Sequence, residues 1–196
     1  MSRILAIFFM ILFSTPLYAG DNVEIYHKVF NNNWGVTCYN QDTGTFSHCV
    51  FGVQFVDKMN FLIQMNGKGK MAIKFSSDEW KSVKLDPSYR PVAHFTILPE
   101  KTEWSFTMDT VYEDGPNGGP SFAGSGPVLE EFLARLATED SFTLKIGRQD
   151  LGEFNLDGAT EPMAEMIEKS RSYAEAESAS LRKYEGHELG ALFVSH

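Results

Sequence analysis

Apolar side chains recur at short intervals through most of the chain, in stretches that alternate with polar residues or are rich in aromatic and β-branched ones. Such stretches are typical of strands. They cover residues 23–30, 34–39, 46–56, 61–65, 71–75, 82–85, 92–98, 103–110, 141–146 and 152–156, and turn-forming residues separate most of them. The short spacing predicts one mainly β domain, with antiparallel sheets closing over a common core as a β-sandwich or an open barrel.

A spacing of three and four between apolar residues predicts two amphipathic helices in the C-terminal half. Ser125 is the candidate N-cap of the first helix, and Pro127 falls near its first turn. The apolar face of this helix consists of Val128, Leu129, Phe132, Leu133 and Leu136. A helix with such a face is expected to cover one side of a sheet.

The second helix opens at Thr160 and is predicted to extend to about residue 184. Its apolar face holds Met163, Met166 and Ile167, and its polar side offers Glu161, Glu165, Glu168, Lys169 and Arg171 to water. Residues 174–180 carry few apolar side chains, so this part is expected to project or fray. The short apolar patch at 189–194, within a tail at 186–196, is expected to dock onto the body.

Residues 1–19 have the layout of a secretory signal peptide: a positive charge at Arg3, an apolar run at 4–13, and Ala19 before the predicted cut. A membrane anchor is the alternative, but a spanning helix needs about 20 apolar residues, and Pro16 interrupts a run half that long. The exported domain then covers residues 20–185, without a transmembrane anchor, in the periplasm or outside the cell.

The charge balance narrows the choice of partner. The 17 Lys and Arg residues face 26 Asp and Glu residues, which gives a formal net charge of −9. Nucleic acid is therefore not an expected partner, since phosphate binding needs a basic face. A protein with a basic surface suits this charge better. No nucleotide-binding glycine motif is present, and no cofactor is expected.

Cys38 and Cys49 lie on the two arms of a predicted hairpin, where facing residues come close enough for a disulfide. Oxidation is the usual fate of such a pair in an exported protein. A redox-active pair usually has the Cys-x-x-Cys spacing near a helix start, and this pair does not. We therefore expect a structural disulfide.

Other candidate sites are weaker. The five histidines, at positions 27, 48, 94, 187 and 196, lack the short spacing of a helical zinc pair. Oxygen ligands in the 109–119 loop could hold a cation such as calcium, although a solvated loop without metal is the simpler interpretation. These ligands are Asp109, Glu113, Asp114 and Asn117. Trp34, Trp80 and Trp104 could line a ligand groove or, as strand aromatics usually do, fill the core.

The segment Trp34-Gly35-Val36-Thr37-Cys38, followed by Cys49 and an apolar strand, resembles the opening of the invasion-associated locus B family of exported bacterial proteins. Residues 132–136, 142–146 and 154–159 are similar to that family's closing strand, Leu-x-Gly turn and helix. The likeness spans about residues 30–173, although many members carry a further cysteine pair that this chain lacks. It implies a β-rich envelope or periplasmic protein associated with host-cell interaction, with no catalytic residues to transfer.

Two functions from different classes follow. The favoured one is a non-enzymatic binding module whose sheet surface or acidic helix contacts a protein partner. The alternative is a small exported hydrolase whose site assembles only in three dimensions, with His94 and Asp109 as nominal members. No nucleophile elbow of the form Gly-x-Ser-x-Gly supports the hydrolase. An exposed apolar patch would favour binding, whereas His, Asp and Ser around one concavity would favour catalysis.

The signal peptide gives a direct prediction. Because the apolar run stops at Pro16 and Ala19 precedes the expected cut, protein taken from the bacterial envelope should begin at Gly20. N-terminal sequencing checks this. An intact Met1 or Ser2 in that material would contradict it.

Overall fold

The structure is a computed structural model, and it describes residues 22–41, 43–55, 59–77, 79–80, 83–112, 120–127 and 129–192, with side chains through residue 179. The predicted signal peptide and most of the candidate cation loop lie outside these ranges.

Seven antiparallel strands form the larger sheet, in the order β1-β2-β3-β4-β5-β9-β8. The first five strands follow one another along the chain as hairpins. Their bounds are β1 Asn22–Val29, β2 Gly35–Gln41, β3 Phe46–Gln54, β4 Met59–Asn66 and β5 Lys70–Ser77, with β8 Asp109–Tyr112 and β9 Pro120–Pro127 completing the sheet.

The smaller sheet has four antiparallel strands in the order β11-β10-β6-β7. Their bounds are β6 Val92–Leu98, β7 Thr102–Thr107, β10 Ser141–Ile146 and β11 Gln149–Asn155. Helices α1 Glu130–Thr138 and α2 Thr160–Leu192 both lie in the C-terminal half. The predicted fold class is thus confirmed as two antiparallel sheets with two helices, and the sheets do not close into a barrel.

Phenylalanine side chains join the two sheets. Phe61 and Phe75 come from the larger sheet and Phe95 and Phe142 from the smaller one, and all four are fully buried. The Phe95 ring lies 5.5 Å from the rings of both Phe75 and Phe142. Helix α1 adds Phe132, with its ring 5.3 Å from that of Phe95. Such aromatic contacts contribute beyond the area that they bury.

The predicted start of α1 is wrong. Ser125 and Pro127 belong to strand β9, and α1 begins only at Glu130. Glycines are typical of turns, but Gly124 lies within strand β9, at a point where the chain packs closely. A Cβ at Gly124 would lie 2.8 Å from the Met108 sulfur. The Thr107 carbonyl oxygen would lie 3.0 Å from the same Cβ, so glycine is the residue that fits this close approach of backbones. Phe132, Leu133 and Leu136 do form the buried face of α1, as predicted.

Two further strand predictions need correction. Residues 83–85 of the predicted 82–85 strand have no regular structure, and Leu85 contacts strand β8 instead. There the Tyr112 hydroxyl contacts both the Leu85 amide nitrogen and its carbonyl oxygen, at 2.6 and 2.7 Å. The predicted 103–110 strand breaks at the buried Met108, where the chain passes from the smaller sheet to the larger.

Helix α2 is longer than predicted, since its backbone continues past residue 184 to Leu192. Its first half packs on the larger sheet: the Tyr173 ring lies 5.4 Å from that of Phe46, and Met163 and Met166 are buried. A Cβ at Gly67 would approach that of Ala174 to 2.7 Å, so the hairpin tip and the helix meet closely. Side chains of the predicted 189–194 patch lie outside those described.

The predicted disulfide is present. Cys38 on β2 and Cys49 on β3 face each other in the strand register, and a bond joins their sulfur atoms. Both side chains are fully buried within the core. The disulfide therefore links neighbouring strands inside the sandwich and has no exposed sulfur for exchange chemistry.

Removing the disulfide should lower stability without removing the fold. For a sequence separation of 11 residues, the loss is roughly 2–4 kcal/mol in the chain-entropy account. We expect Cys38→Ala with Cys49→Ala to lower the Tm, measured by calorimetry, while partner binding below the Tm is largely kept. Free thiol in protein isolated without reductant would contradict the disulfide. Loss of binding at unchanged Tm would contradict its structural role.

Candidate functional site

His94 and Asp109, the nominal hydrolase residues, lie in different sheets, on β6 and β8. The His94 Nδ1 atom is 2.9 Å from the Ser105 hydroxyl on the neighbouring strand. Asp109 forms an ion pair with Arg90, at 2.8 Å between Oδ1 and Nε. The structure thus gives each residue its own local partner and does not bring the two into one hydrogen-bonded arrangement.

Of the remaining histidines, His27 and His48 each have a local partner, and the side chains of His187 and His196 lie outside those that the structure describes. His27 is hydrogen-bonded to Thr37, and His48 lies 2.8 Å from the Ser47 hydroxyl. Burial lowers the pKa of His48 to about 4. Within the described ranges, no three His, Cys, Asp or Glu side chains are grouped to hold a metal ion. Three predicted cation ligands, Glu113, Asp114 and Asn117, lie outside those ranges.

The tryptophans pack into the body of the domain. Trp34 is 1% exposed, and its ring stacks on Phe51 at 4.7 Å. Trp80 and Trp104 are partly buried against the rings of Phe122 and Phe132. Of the two interpretations of the tryptophans, core packing therefore applies fully to Trp34 and partly to Trp80 and Trp104.

Trp34 also ties the two segments that carry the family resemblance. Its indole nitrogen donates to the Asp157 carbonyl oxygen at 2.8 Å, and Asn32 donates to the same oxygen at 3.2 Å. Gly158 follows with a φ of +81°, and a Cβ there would lie 3.4 Å from the Trp34 ring. The Leu-x-Gly turn thus closes on the first hairpin and leads directly into α2.

Strand β1 exposes three large apolar side chains. Val23, Ile25 and Val29 are 52%, 37% and 63% exposed. Exposed apolar side chains on one element are candidates for a contact surface. The sequence does place these three apolar residues shortly after the predicted cut. Predicting a strand there does not show, however, that the strand forms the edge of a sheet.

Helix α2 lies beside β1 and is joined to it by a polar network. The Tyr26 hydroxyl donates to the Glu165 carboxylate at 2.6 Å. The Lys28 ammonium group lies 3.5 Å from the carboxylates of both Glu165 and Glu161. Lys169 adds a longer contact with Glu165, at 3.8 Å, and lies over the Tyr26 ring. Glu165 is thus the shared acceptor of the network.

This network shifts two pKa values in opposite directions. Desolvation, and then the hydrogen bond to the Glu165 carboxylate and its negative charge, raise the pKa of Tyr26 to about 12. The same hydrogen bond is the main cause that lowers the pKa of Glu165, with Lys28 and Lys169 adding to it. Glu165 therefore stays ionised and satisfied within the protein.

The carboxylates of α2 differ in availability. The side chain of Glu161 is 72% exposed and that of Glu165 only 21%. Glu168 is also exposed. The predicted acidic face is therefore narrower than the sequence indicated, because Glu165 is engaged with β1. We call Val23, Ile25 and Val29 with Glu161 and Glu168 the strand–helix surface.

Comparison with solved structures finds a similar fold in the crystal structure of invasion associated protein B from Bartonella henselae. The TM-score is 0.54 at 14% sequence identity, and the match covers 75% of this chain and 98% of that one. The resemblance predicted from the sequence is confirmed for the fold. No family model matches the chain, and no curated protein matches it either. Across the described ranges, no helix has both the length and the apolar content to cross a membrane.

The Tyr26–Glu165 hydrogen bond gives a stability prediction. Tyr26→Phe removes a donor to a partly buried carboxylate, so the free energy of unfolding at neutral pH should fall by about 1 kcal/mol. Because the folded pKa of Tyr26 is raised to about 12, wild-type stability should also fall as the pH rises from 10 towards 12. The Tyr26→Phe variant should not show the loss of stability that ionisation of Tyr26 causes.

Urea denaturation across this pH range, with Tyr26→Phe and wild type side by side, makes the measurement. Glu161→Gln is the matched control, since its side chain is largely in water, and it should change stability by less than about 0.5 kcal/mol. Equal alkaline losses in wild type and Tyr26→Phe would show that the hydrogen bond does not hold the phenol in its neutral form.

Proposed function

We propose that this chain is an exported, non-enzymatic binding module that acts in the periplasm or outside the cell. It recognises a protein partner through the strand–helix surface, and that recognition serves the bacterial envelope or its contact with host cells.

Three observations support export. The first 19 residues have the composition of a signal peptide. The disulfide is of the kind that persists in oxidising compartments. The similar solved structure is that of an invasion associated protein, which suggests by analogy a role in host-cell contact.

The observation that carries the binding proposal is the exposure of Val23, Ile25 and Val29 along one edge strand. Full burial of one such side chain is worth roughly 1.5–3 kcal/mol. A partner that covers all three would gain an apolar centre for its interface. Aromatic side chains, which often serve as anchors of interfaces, are largely engaged in the core here, so aliphatic residues take that place.

The charge beside these residues indicates the partner's chemistry. Glu161 and Glu168 are exposed on α2, while Lys28 and Lys169 are engaged with Glu165. The open charges of the surface are therefore mainly negative, as is the chain as a whole. A partner with a basic patch around an apolar centre complements this arrangement.

Charge reversal tests the electrostatic part. Glu161→Lys with Glu168→Lys should lower the association rate by roughly tenfold at low salt and change the dissociation rate little, because exposed charges act mainly on encounter. The analyte is the protein recovered on immobilised wild-type chain from the envelope of the encoding bacterium. Interferometry at several salt concentrations makes the measurement. Binding by the wild type that does not vary with salt would contradict this part.

A second pair of variants tests the contact made by the exposed apolar side chains of β1. Val29→Ser should accelerate dissociation, whereas Val83→Ser, at an exposed residue outside the surface, should not. Equal effects of the two would exclude β1 as the contact. Turnover of a peptide, ester or glycan by the purified protein, lost on His94→Ala or Asp109→Asn, would overturn the non-enzymatic proposal.

A further inference from the structure

We propose that residues 83–90 form a strap that closes the free edge of strand β8, and that this strap opens as one unit while both sheets stay folded. Its opening uncovers the edge of β8 to pairing with a further strand. The inference does not depend on the partner proposed above, since β8 and β1 lie at opposite edges of the larger sheet.

Strand β8 forms one edge of the larger sheet, where it pairs with β9 on one side only. Its register against β9 is unbroken over all four residues. The other side of an edge strand presents unpaired backbone groups, and proteins commonly cover such an edge with a loop. The chain around β8 therefore decides whether a further strand can be added there.

The strap runs antiparallel to β8. Four residue pairs join the two segments or the residues next to them, and their order along one segment is reversed along the other. The pairs are Pro91 with Met108, Arg90 with Asp109, Tyr89 with Thr110 and Leu85 with Tyr112.

The strap lies along the edge of β8 and not on one face of the sheet. Side chains of successive strand residues point to opposite faces. Asp109 and Thr110 are successive residues, and the first is 63% exposed whereas the second is buried. Both nevertheless contact the strap, Asp109 at Arg90 and Thr110 at Tyr89. A segment beside the edge is within reach of side chains from both faces.

The strap places no side chain in the core. Seven of its eight residues are exposed, and Leu85 is half-buried. Apart from a turn at residues 87–88, the strap has no regular secondary structure. The ion pair of Arg90 with Asp109 is largely in water, so it contributes little. A segment with so few buried apolar contacts opens at a lower free energy than the sheets.

Two hydroxyl groups of β8 hold the strap. The Tyr112 hydroxyl accepts from the Leu85 amide at 2.6 Å and donates to the Leu85 carbonyl oxygen at 2.7 Å. One phenol thus satisfies both backbone groups of that residue. The Thr110 hydroxyl donates to the Tyr89 carbonyl oxygen at 2.6 Å. Because these bonds use side chains of β8, the strap can leave while β8 keeps its pairing with β9.

Amide exchange of the purified chain, resolved by residue with NMR, tests opening as one unit. Tyr112→Phe should speed exchange of the Tyr89 amide by roughly fivefold, the effect of one lost hydrogen bond, although this amide donates to Asp86 within the strap. Thr110→Val should do the same for the Leu85 amide. In the wild type, both amides should exchange at rates that do not vary with urea below the unfolding transition.

Tyr173→Phe is the matched control, since it removes a phenolic hydroxyl from α2 and not from β8. It should leave exchange of both reporter amides unchanged. If each variant affects only the amide nearest to it, the strap does not open as a unit and the proposal fails. The proposal also fails if both wild-type amides exchange only through global unfolding.

Light scattering below the Tm of every variant tests whether the strap guards the edge. Thr110→Val with Tyr112→Phe opens the strap most often, so its association rate should exceed that of the wild type by the same factor as its amide exchange. Ile63→Val, in the buried centre of β4, lowers global stability without touching the strap and should associate no faster than the wild type.

Two results would overturn the guarding role. One is a double variant that opens more often but associates no faster than the wild type. The other is an association rate of Ile63→Val that equals that of the double variant, because association would then follow global unfolding and not the uncovered edge of β8.

Discussion

The contact between the two sheets is the constraint on which the rest of the molecule depends. Phe61 and Phe75 meet Phe95 and Phe142 across the sandwich, without any exposed ring among them. Packing at native density leaves little room for a ligand between such sheets. The proposed recognition therefore uses the edges of the sheets and the helix beside them.

The position of α2 follows from a second contact, between Trp34 and the turn at Asp157. This turn closes on the first hairpin and directs the helix along β2, β3 and β4. Tyr26 and Lys28 then reach Glu165, which fixes the helix against the edge strand. One short turn thus brings together residues far apart in the chain. It holds α2, with the exposed Glu161 and Glu168, against the strand that carries the exposed valines, and the proposed surface combines the two elements.

Much of this architecture could be read from the sequence, because alternation and turn residues are local signals. The disulfide followed from Cys38 and Cys49 on one hairpin. Strand β9 could not be predicted in this way, since glycines are typical of turns, and Gly124 is explained by Met108 and the Thr107 carbonyl, which come close only in the folded chain. Nor could the engagement of Glu165 by β1 be foreseen. Such pairings depend on which strand forms an edge, and sheet order is a property of the whole chain.

The proposed function places the contact surface of this domain at β1 and the start of α2. Hydrogen exchange with mass spectrometry, on the chain alone and on its complex with the captured envelope protein, tests that claim most directly. Slowed exchange on binding should be confined to peptides from β1 and the first two turns of α2. Slowed exchange around His94 and Asp109, with β1 unchanged, would contradict it.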